Sequence, residues 1–227
     1  MSNISLCIYT NCTIHNSTNA NLLFKTLSSF ISTFGLSEIN KIWIFIDSNP
    51  LVENYELYKE SIEKCMLHIQ FPFEIIKTKS LSDGYLQSIK LCQTKYIFQL
   101  EHDWEFISDN INHTLNEITF TMDKLRLYHL RFNRRQNLEN GWNFTIKQLK
   151  NDLDVKVCQV TNLSNNPHII DKDIYISDGF LDIIKLKSGA DGIEEEFFLT
   201  DKKGHVYGRL GHLPTIKHID GRSMLNF

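Results

Sequence analysis

Segments with a strand pattern alternate with segments with a helix pattern over the first hundred residues, and this alternation limits the folds open to the chain. The helical segments place apolar residues three and four positions apart, as in NLLFKTLSSFISTF, which stops at Gly35. The strand segments are rich in β-branched and aromatic residues and read ISLCIYT, KIWIFID, FEIIKT and KYIFQLEHD. Such alternation predicts an α/β fold, with a mostly parallel central sheet flanked by helices.

The second half of the chain has a less regular pattern. We predict a strand in KLRLYHLRF, shorter strands or loop edges in KVCQVTN, DIYIS and HVYGRLG, and a helix around FLDIIKLK. With 227 residues, of which 42% are hydrophobic, the chain can bury one full core. We therefore predict a single domain over residues 1–227, α/β in front and mixed α+β behind.

Charge and cysteine usage argue against several classes of protein. The net charge of -3 disfavours a nucleic-acid binder that works by electrostatics alone. The five cysteines form no CxxC pair, so they indicate neither a zinc site nor a disulfide framework. The N-terminal residues lack a signal-peptide pattern, and no apolar run approaches the ~18 residues of a membrane span. We expect a cytoplasmic protein with reduced thiols.

Acidic residues end the fourth predicted strand. Ligands of open parallel sheets bind beyond the carboxyl ends of the strands, and Glu101-His102-Asp103 falls at such an end. Because residues two apart in a strand face the same side, Glu101 and Asp103 are expected to converge on one point. Mg²⁺ and Mn²⁺ prefer carboxylate oxygens, so the pair predicts a metal that neutralises a diphosphate. The alternative is an ordinary solvated strand end.

The stretch LSDGYLQSIKLCQTKYIFQLEHDWEF resembles the metal-binding segment of GT-A-fold glycosyltransferases. In that family a helix precedes a hydrophobic strand that ends in a D-x-D or related acidic motif. Glu101-His102-Asp103 departs from Asp-x-Asp by one methylene at the first acid. The resemblance implies a GT-A-like (Rossmann-like) fold, with a nucleotide-binding half over residues 1–108 and an acceptor-binding half over residues 109–227. It also implies that Asp103 makes the direct metal contact.

The resemblance implies a nucleotide site at the other strand ends. Thr10 and Asn11 end the first predicted strand and would cradle the nucleotide, and Asp47 ends the second and would read the base or ribose. Asp83 and Gly84 lie where the third strand–helix connection approaches the nucleotide or sugar. Two alternatives stay open, because Asp47 also suits a turn and Asp83 also suits a helix cap.

An acid run follows a glycine turn in GADGIEEEFF. The resemblance implies that an acidic pair opens a helix here beneath the acceptor site, with Glu195 or its neighbour Glu194 as the general base in inverting members. The alternative is a set of acids at a helix N-terminus, favoured there by the helix dipole.

Two further polar clusters lie in the second half. In HLPTIKHIDGR the resemblance implies that His218 is a further metal ligand, while Arg222 could hold a phosphate bidentately. A surface turn is the alternative. In LSNNPHIID we predict a loop whose Asn166 and His168 could face an acceptor sugar, or a purely structural turn.

These features predict a metal-dependent glycosyltransferase for hexosyl or deoxyhexosyl transfer. It would move a sugar from a nucleotide-sugar donor, a UDP-sugar, to a carbohydrate acceptor with Mn²⁺ or Mg²⁺ as cofactor. One alternative is a sugar-nucleotidyltransferase, although TNCTIHN does not match the glycine-rich loop expected after its first strand. The other is a non-catalytic carbohydrate-binding relative. We expect no nucleic-acid partner.

Overall fold

The computed structural model describes residues 3–11, 20–47, 55–139, 147–161, 164–177 and 203–219. Its helices are α1 (Asn21–Phe34), α2 (Tyr55–Ile69), α3 (Leu81–Leu91), α4 (Leu115–Leu125) and α5 (Lys172–Ser177). Its strands are β1 (Ile4–Asn11), β2 (Ile39–Asp47), β3 (Phe73–Thr78), β4 (Tyr96–Glu101), β5 (Trp104–Phe106), β6 (His129–Arg131), β7 (Lys147–Gln148), β8 (Val157–Val160), β9 (His168–Asp171), β10 (Gly204–Tyr207) and β11 (Ile216–His218).

Nine of these strands form one sheet in the order β3-β2-β1-β4-β9-β6-β10-β8-β7, and β5 pairs with β11 in a second, two-stranded sheet. The first four strands are parallel, whereas β9 runs antiparallel to both β4 and β6. β10 is parallel to β6, and β8 is antiparallel to both β10 and β7. All strands of the large sheet except β9 and β8 therefore run in one direction. The predicted α/β fold with a mostly parallel sheet is confirmed.

Helices cover both faces of the sheet because the strands bury side chains on both sides. In β1, Leu6 and Ile8 join the core layer of α1, α2 and α4, whereas Cys7 and Tyr9 join the layer of α3 and α5. The amphipathic α1 ends at Gly35, which adopts a φ of 69° and donates its amide to the Ile31 carbonyl. The glycine stop read from the sequence is therefore observed. No helix in the described ranges is long and apolar enough to cross a membrane.

Two predictions in the second half are wrong, and a third is right only in part. KLRLYHLRF, predicted as a strand, contains the last residues of α4, so only His129–Arg131 is strand. DIYIS belongs to α5, whose first amides donate to the carboxylate of Asp171. LSNNPHIID, predicted as a loop, contributes the four buried residues of β9 between β4 and β6. FLDIIKLK lies outside the described residues. The strands KVCQVTN and HVYGRLG are observed as β8 and β10.

Candidate functional site

A cleft of about 120 Å³ opens at the carboxyl ends of the first four strands. Parallel strands place their last residues at the same edge of a sheet, which is why separate segments meet here. The cleft is lined by Tyr9, Thr10, Asn11, Phe45, Asp47, Thr78, Leu81, Glu101 and His102. The structure thus brings together four residues singled out from the sequence, namely Thr10, Asn11, Asp47 and Glu101.

Aromatic rings form one wall of the cleft. The Tyr9 ring stacks on Tyr85 with a centroid separation of 4.2 Å and on Phe45 at 5.4 Å. The Tyr9 hydroxyl donates to Ser88 Oγ at 2.8 Å, which fixes the ring. Tyr9 is not among the residues predicted from the sequence, although an aromatic residue just before the polar end of β1 could have indicated it.

Gly84 lies behind this wall and does not line the cleft. A Cβ at Gly84 would sit 3.1 Å from Tyr9 Cδ1 and 3.4 Å from Phe45 Cβ. Glycine therefore lets α3 approach the sheet closely. Gly84 is expected near the nucleotide or sugar from the resemblance, whereas in the structure its contacts are with the aromatic wall.

The end of β1 presents one engaged and one unpaired polar group. Thr10 Oγ1 lies 2.5 Å from the Tyr58 hydroxyl and is therefore already hydrogen-bonded to a residue of α2. Asn11 Oδ1 is buried and accepts no hydrogen bond from the part of the chain that the structure describes. A buried polar atom without a partner points to a missing ligand or water, and Asn11 faces the cleft.

Asp47 and Asp83 have different surroundings. Burial raises the pKa of the half-buried Asp47 carboxyl, and the nearby charge of Asp83 raises it further. The Asp83 carboxylate accepts from the Lys79 amide and from Gln87 Nε2, both at 2.9 Å, and it does not line the cleft. The N-cap of α3 is Ser80, whose Oγ accepts from the Asp83 amide. Asp83 thus helps to start the helix.

Asp103 does not lie in the same strand as Glu101, so the alternation of side chains along a strand does not set its position. β4 ends at Glu101, the chain turns at residues 102 and 103, and β5 begins at Trp104. The expectation that Glu101 and Asp103 share one strand face is therefore wrong. The turn is fixed from both sides, because the His102 amide donates to the Tyr9 carbonyl at 3.0 Å and Thr26 Oγ1 donates to the His102 carbonyl at 2.6 Å.

The pairing of β5 with β11 sets His218 beside Asp103. His218 pairs in register with Trp104, and their ring centroids are 3.9 Å apart. His218 Nδ1 lies 3.5 Å from Asp103 Oδ2. The Asp103 side chain is only 9% exposed, and its Oδ1 has no hydrogen-bond partner within the described ranges. An imidazole and a buried carboxylate thus face each other one residue beyond the cleft.

These two side chains suit a divalent cation as partial ligands. Carboxylate and imidazole both bind Mn²⁺, and the unpaired Asp103 oxygen is available for it. The described residues contain no group of three or more His, Cys, Asp and Glu that could hold a metal ion. Asp103 and His218 therefore fit a cation that takes its other ligands from a bound substrate or water, as Mg²⁺ commonly does.

His168 is a residue of the sheet interior. It begins β9, is 3% exposed, and its ring lies tilted against that of His129 with a centroid separation of 4.5 Å. Its Nδ1 lies 2.7 Å from the Asn166 carbonyl oxygen, and burial lowers its pKa to about 4. The expectation that His168 faces an acceptor from a surface loop is wrong. The predicted residues Glu194, Glu195 and Arg222 lie outside the described residues.

No protein-family model and no curated protein matches the chain. Solved structures do match in fold. A structure of GalNAc-T7 with UDP, GalNAc and Mn²⁺ aligns with 94% of this chain and 43% of its own, at 11% identity and a TM-score of 0.65. A UDP-glucose pyrophosphorylase with UDP-glucose aligns with 92% of this chain and 91% of its own, at 13% identity and a TM-score of 0.54.

TarS of S. aureus, residues 1–349, aligns with 93% of this chain and 59% of its own, at 11% identity and a TM-score of 0.52. The chain thus spans about half the length of the GalNAc-T7 and TarS chains that it matches. Identities this low establish similarity of fold alone. Together with the strand order and the strand-end cleft, they show that the chain has a GT-A-like α/β fold.

Proposed function

We propose that the protein is a glycosyltransferase that moves a sugar from a nucleotide-sugar donor, a UDP-sugar, to a carbohydrate acceptor. The observation that carries the proposal is the buried Asp103 carboxylate, with one oxygen unpaired in the described part of the chain and the other facing His218. It stands at the edge of a strand-end cleft in a GT-A-like fold. The UDP and Mn²⁺ of the similar GalNAc-T7 structure support the choice of donor and cofactor.

The cleft residues would bind the nucleotide. The Asn11 side-chain oxygen and the Asp47 carboxylate are acceptors for hydroxyl and N–H donors of the ribose or base. The buried Tyr9 ring, stacked between Tyr85 and Phe45, would support the wall of the nucleotide site. Thr10, Gly84 and Asp83 would act indirectly, since they hold α2 and α3 against the strand ends.

Asp103 and His218 would hold Mn²⁺ or Mg²⁺, with Glu101 nearby in the cleft. A bound divalent cation supplies Lewis-acid stabilisation of the charge on a departing diphosphate. Asp103 would neutralise part of the cation's charge, and the hydrogen bonds to the His102 turn would hold the carboxylate in place without reorganisation. We assign to Arg222 a bidentate contact with a phosphate.

Glu195, or its neighbour Glu194, would take the proton of the acceptor hydroxyl as the new glycosidic bond forms. A carboxylate within hydrogen-bond reach can do this in an inverting transfer. The proposal rests on the acid run of the sequence and on its place between β9 and β10 in the chain.

A sugar-nucleotidyltransferase is the second candidate. It is favoured by the alignment with UDP-glucose pyrophosphorylase, which covers nearly the whole of both chains. The two reactions leave different products from the same donor. A glycosyltransferase releases UDP from the UDP-sugar, whereas a nucleotidyltransferase working in reverse needs pyrophosphate and releases UTP and a sugar 1-phosphate.

Ligand-dependent thermal unfolding tests the donor. UDP and UDP-sugars with Mn²⁺ should raise the melting temperature, because a ligand at 100 times its Kd stabilises the native state by about 2.7 kcal/mol. GDP and CMP serve as matched controls. Chromatography of products then separates the two candidates: UDP release without pyrophosphate supports the transferase. UTP formation that requires pyrophosphate contradicts it, and no stabilisation by any uridine nucleotide contradicts both.

A further inference from the structure

A second pocket lies at the same edge of the sheet as the cleft, three strands further along from β4. It has a volume of about 280 Å³ and lies between the loop after β10 and the residues before α4. It shares no lining residue with the strand-end cleft. Its chemistry comes from His113, Tyr207, Arg209 and His212, with Lys156 and Asp154 at its border.

The loop that carries Arg209 is held rigidly from inside. The buried Asn137 side chain donates to the backbone carbonyls of Tyr207 at 2.9 Å and Arg209 at 3.2 Å. The backbone amide of Asn137 donates to the His212 carbonyl at 3.0 Å. Gly208 has a φ of 92°, and a Cβ there would lie 2.3 Å from His212 Cγ. The backbone is therefore fixed in one conformation that packs the His212 ring on a glycine.

The two histidines have defined hydrogen-bonding roles. The Asn112 amide donates to the Tyr207 hydroxyl, which lies 2.6 Å from His113 Nδ1. The Tyr207 hydroxyl and His113 Nδ1 thus share a hydrogen bond, which orients both rings. His212 Nε2 donates to the Asn110 carbonyl at 2.9 Å, which orients that ring as well.

Positive charge collects around this pocket. Arg209 is exposed and forms no ion pair with any residue in the described ranges. Lys156 Nζ donates to the carbonyls of Asn151 and Leu153, so its charge is not neutralised by a carboxylate there. Arg209, His113 and His212 all line this pocket. Burial lowers the pKa of His212, the hydrogen bond to the Asn110 carbonyl raises it, and the charges of Arg209 and His113 lower it. Asp154 is the one acid among the lining residues.

We propose that this pocket binds an oxyanion group, a carboxylate or a phosphate, through the Arg209 guanidinium and His113, with the His212 ring lying beside the bound group. The guanidinium offers a fork of N–H donors that matches two oxygens of such a group. Because the loop is held in place before binding, little conformational entropy of its backbone is lost when the ligand binds. The inference is separate from the proposed donor site and from its metal, since the two sites have no residue in common.

Histidine side-chain NMR of the full chain tests this proposal at constant ionic strength. The probes are inorganic phosphate, glucuronate and uncharged glucose. Phosphate, glucuronate or both should shift the ring signals of His113 and His212 in a saturable way, and glucose should not. Arg209→Ala should weaken the oxyanion binding about tenfold or more, and Arg209→Lys should weaken it less, because a single ammonium lacks the fork. Lys64→Ala, at an exposed position of α2, is the control of equal charge change and should bind as the parent does.

The two oxyanion probes also tell the ligand classes apart, since a response to one alone identifies a phosphate or a carboxylate as the group recognised. Equal shifts with glucose would overturn the proposal, because binding would then not depend on charge. Unchanged affinity in Arg209→Ala, with an unaltered melting temperature, would overturn it too. So would the lack of a saturable response to either oxyanion.

Discussion

Asp103 joins two properties that rarely occur together, a nearly buried carboxyl group and an oxygen left unpaired by the described residues. Burial of a charge without a partner is costly, so such a group is retained where a ligand satisfies it. His218 faces the other oxygen at 3.5 Å, and Trp104 packs against the imidazole. The position of this pair makes the proposed metal role testable by single substitutions.

Asp103→Asn should remove the dependence of UDP binding on Mn²⁺ while keeping the fold. The amide has the shape of the carboxylate but not its charge, and a hard cation prefers the charged oxygen. Calorimetry with Mn²⁺ should give an affinity for UDP that falls to the value measured in EDTA. Asp109→Asn, at an exposed residue just after β5, is the matched control. Equal affinity of parent and Asp103→Asn in Mn²⁺ would rule out the metal role.

His218→Ala should weaken the Mn²⁺-dependent binding of UDP less than Asp103→Asn does. One neutral ligand of several is lost, whereas the carboxylate supplies the charge that the cation needs. The same calorimetric titration measures the difference. His68→Ala, at an exposed residue of α2, is the control. A larger loss in His218→Ala than in Asp103→Asn would contradict the assignment.

Glu195→Gln should lower turnover by about 10²-fold or more with little change in donor binding, if this residue is the general base. Glu194→Gln tests the neighbour, and Glu196→Gln is the control within the same acid run. Initial rates and donor affinity are measured on each variant. Near-normal rates in both Glu195→Gln and Glu194→Gln would remove these acids from the mechanism.

At the scale of elements, close packing of α3 on the sheet shapes the cleft. The contact depends on Gly84, which leaves room for the Tyr9 ring. The ring itself is held between Tyr85 and Phe45 and by its hydrogen bond to Ser88. A side chain at residue 84 could therefore enter only if this stack moved.

Gly84→Ala should destabilise the protein by about 1 kcal/mol. Alanine gains about 1 kcal/mol of helix propensity, but overpacking against a fixed ring costs roughly 1–3 kcal/mol. Urea unfolding of the parent and of Gly84→Ala measures the net change in the free energy of unfolding. Stabilisation by about 1 kcal/mol would instead mean that the Tyr9 ring yields without strain.

The interior strands β6, β9 and β10 carry three buried histidines, and these predict acid sensitivity. Burial lowers the pKa of His168 and of His205 to about 4, and it lowers the pKa of His129 well below its usual value, with further lowering by His168 and Arg131. In the unfolded chain a histidine titrates near pH 6.5. Stability should be full above about pH 6.5 and fall as the pH drops towards 4, because only the unfolded state then binds the protons.

Each buried histidine should contribute a slope of up to about 1.4 kcal/mol per pH unit in this window. Urea unfolding between pH 7 and 4.5 measures the slope. His205→Asn should reduce it, whereas His68→Gln on the exposed surface of α2 should not. A free energy of unfolding that does not change from pH 6.5 to 4.5 would contradict the neutral burial of these residues.

At the scale of the whole molecule, the described residues form hydrophobic clusters on both faces of the sheet, so we expect the fold not to depend on a metal. EDTA alone should leave the melting temperature unchanged. In the presence of UDP and Mn²⁺, EDTA should return the melting temperature to that of the free protein, because the cation acts through the nucleotide. A fall in the melting temperature when EDTA is added without nucleotide would indicate a structural metal.

The sequence by itself determined the front half of the fold and four residues of the cleft. β1 to β4 and α1 to α3 are long enough for periodicity to reveal them, and parallel strands bring Thr10, Asn11, Asp47 and Glu101 to one edge whatever the details of packing. The front of the sheet therefore followed from local pattern and a general rule of topology.

Only the tertiary structure decided the rest. β5, β6 and β11 have three residues each and β9 has four, which is too short for a periodic signal, and they exist because of the partners that they pair with. His218 reaches Asp103 through such a pairing across a long separation in the chain. Gly84 gains its role from a ring on another element. Contacts between distant segments carry no pattern within either segment, so the sequence could suggest these residues but could not show how they are placed.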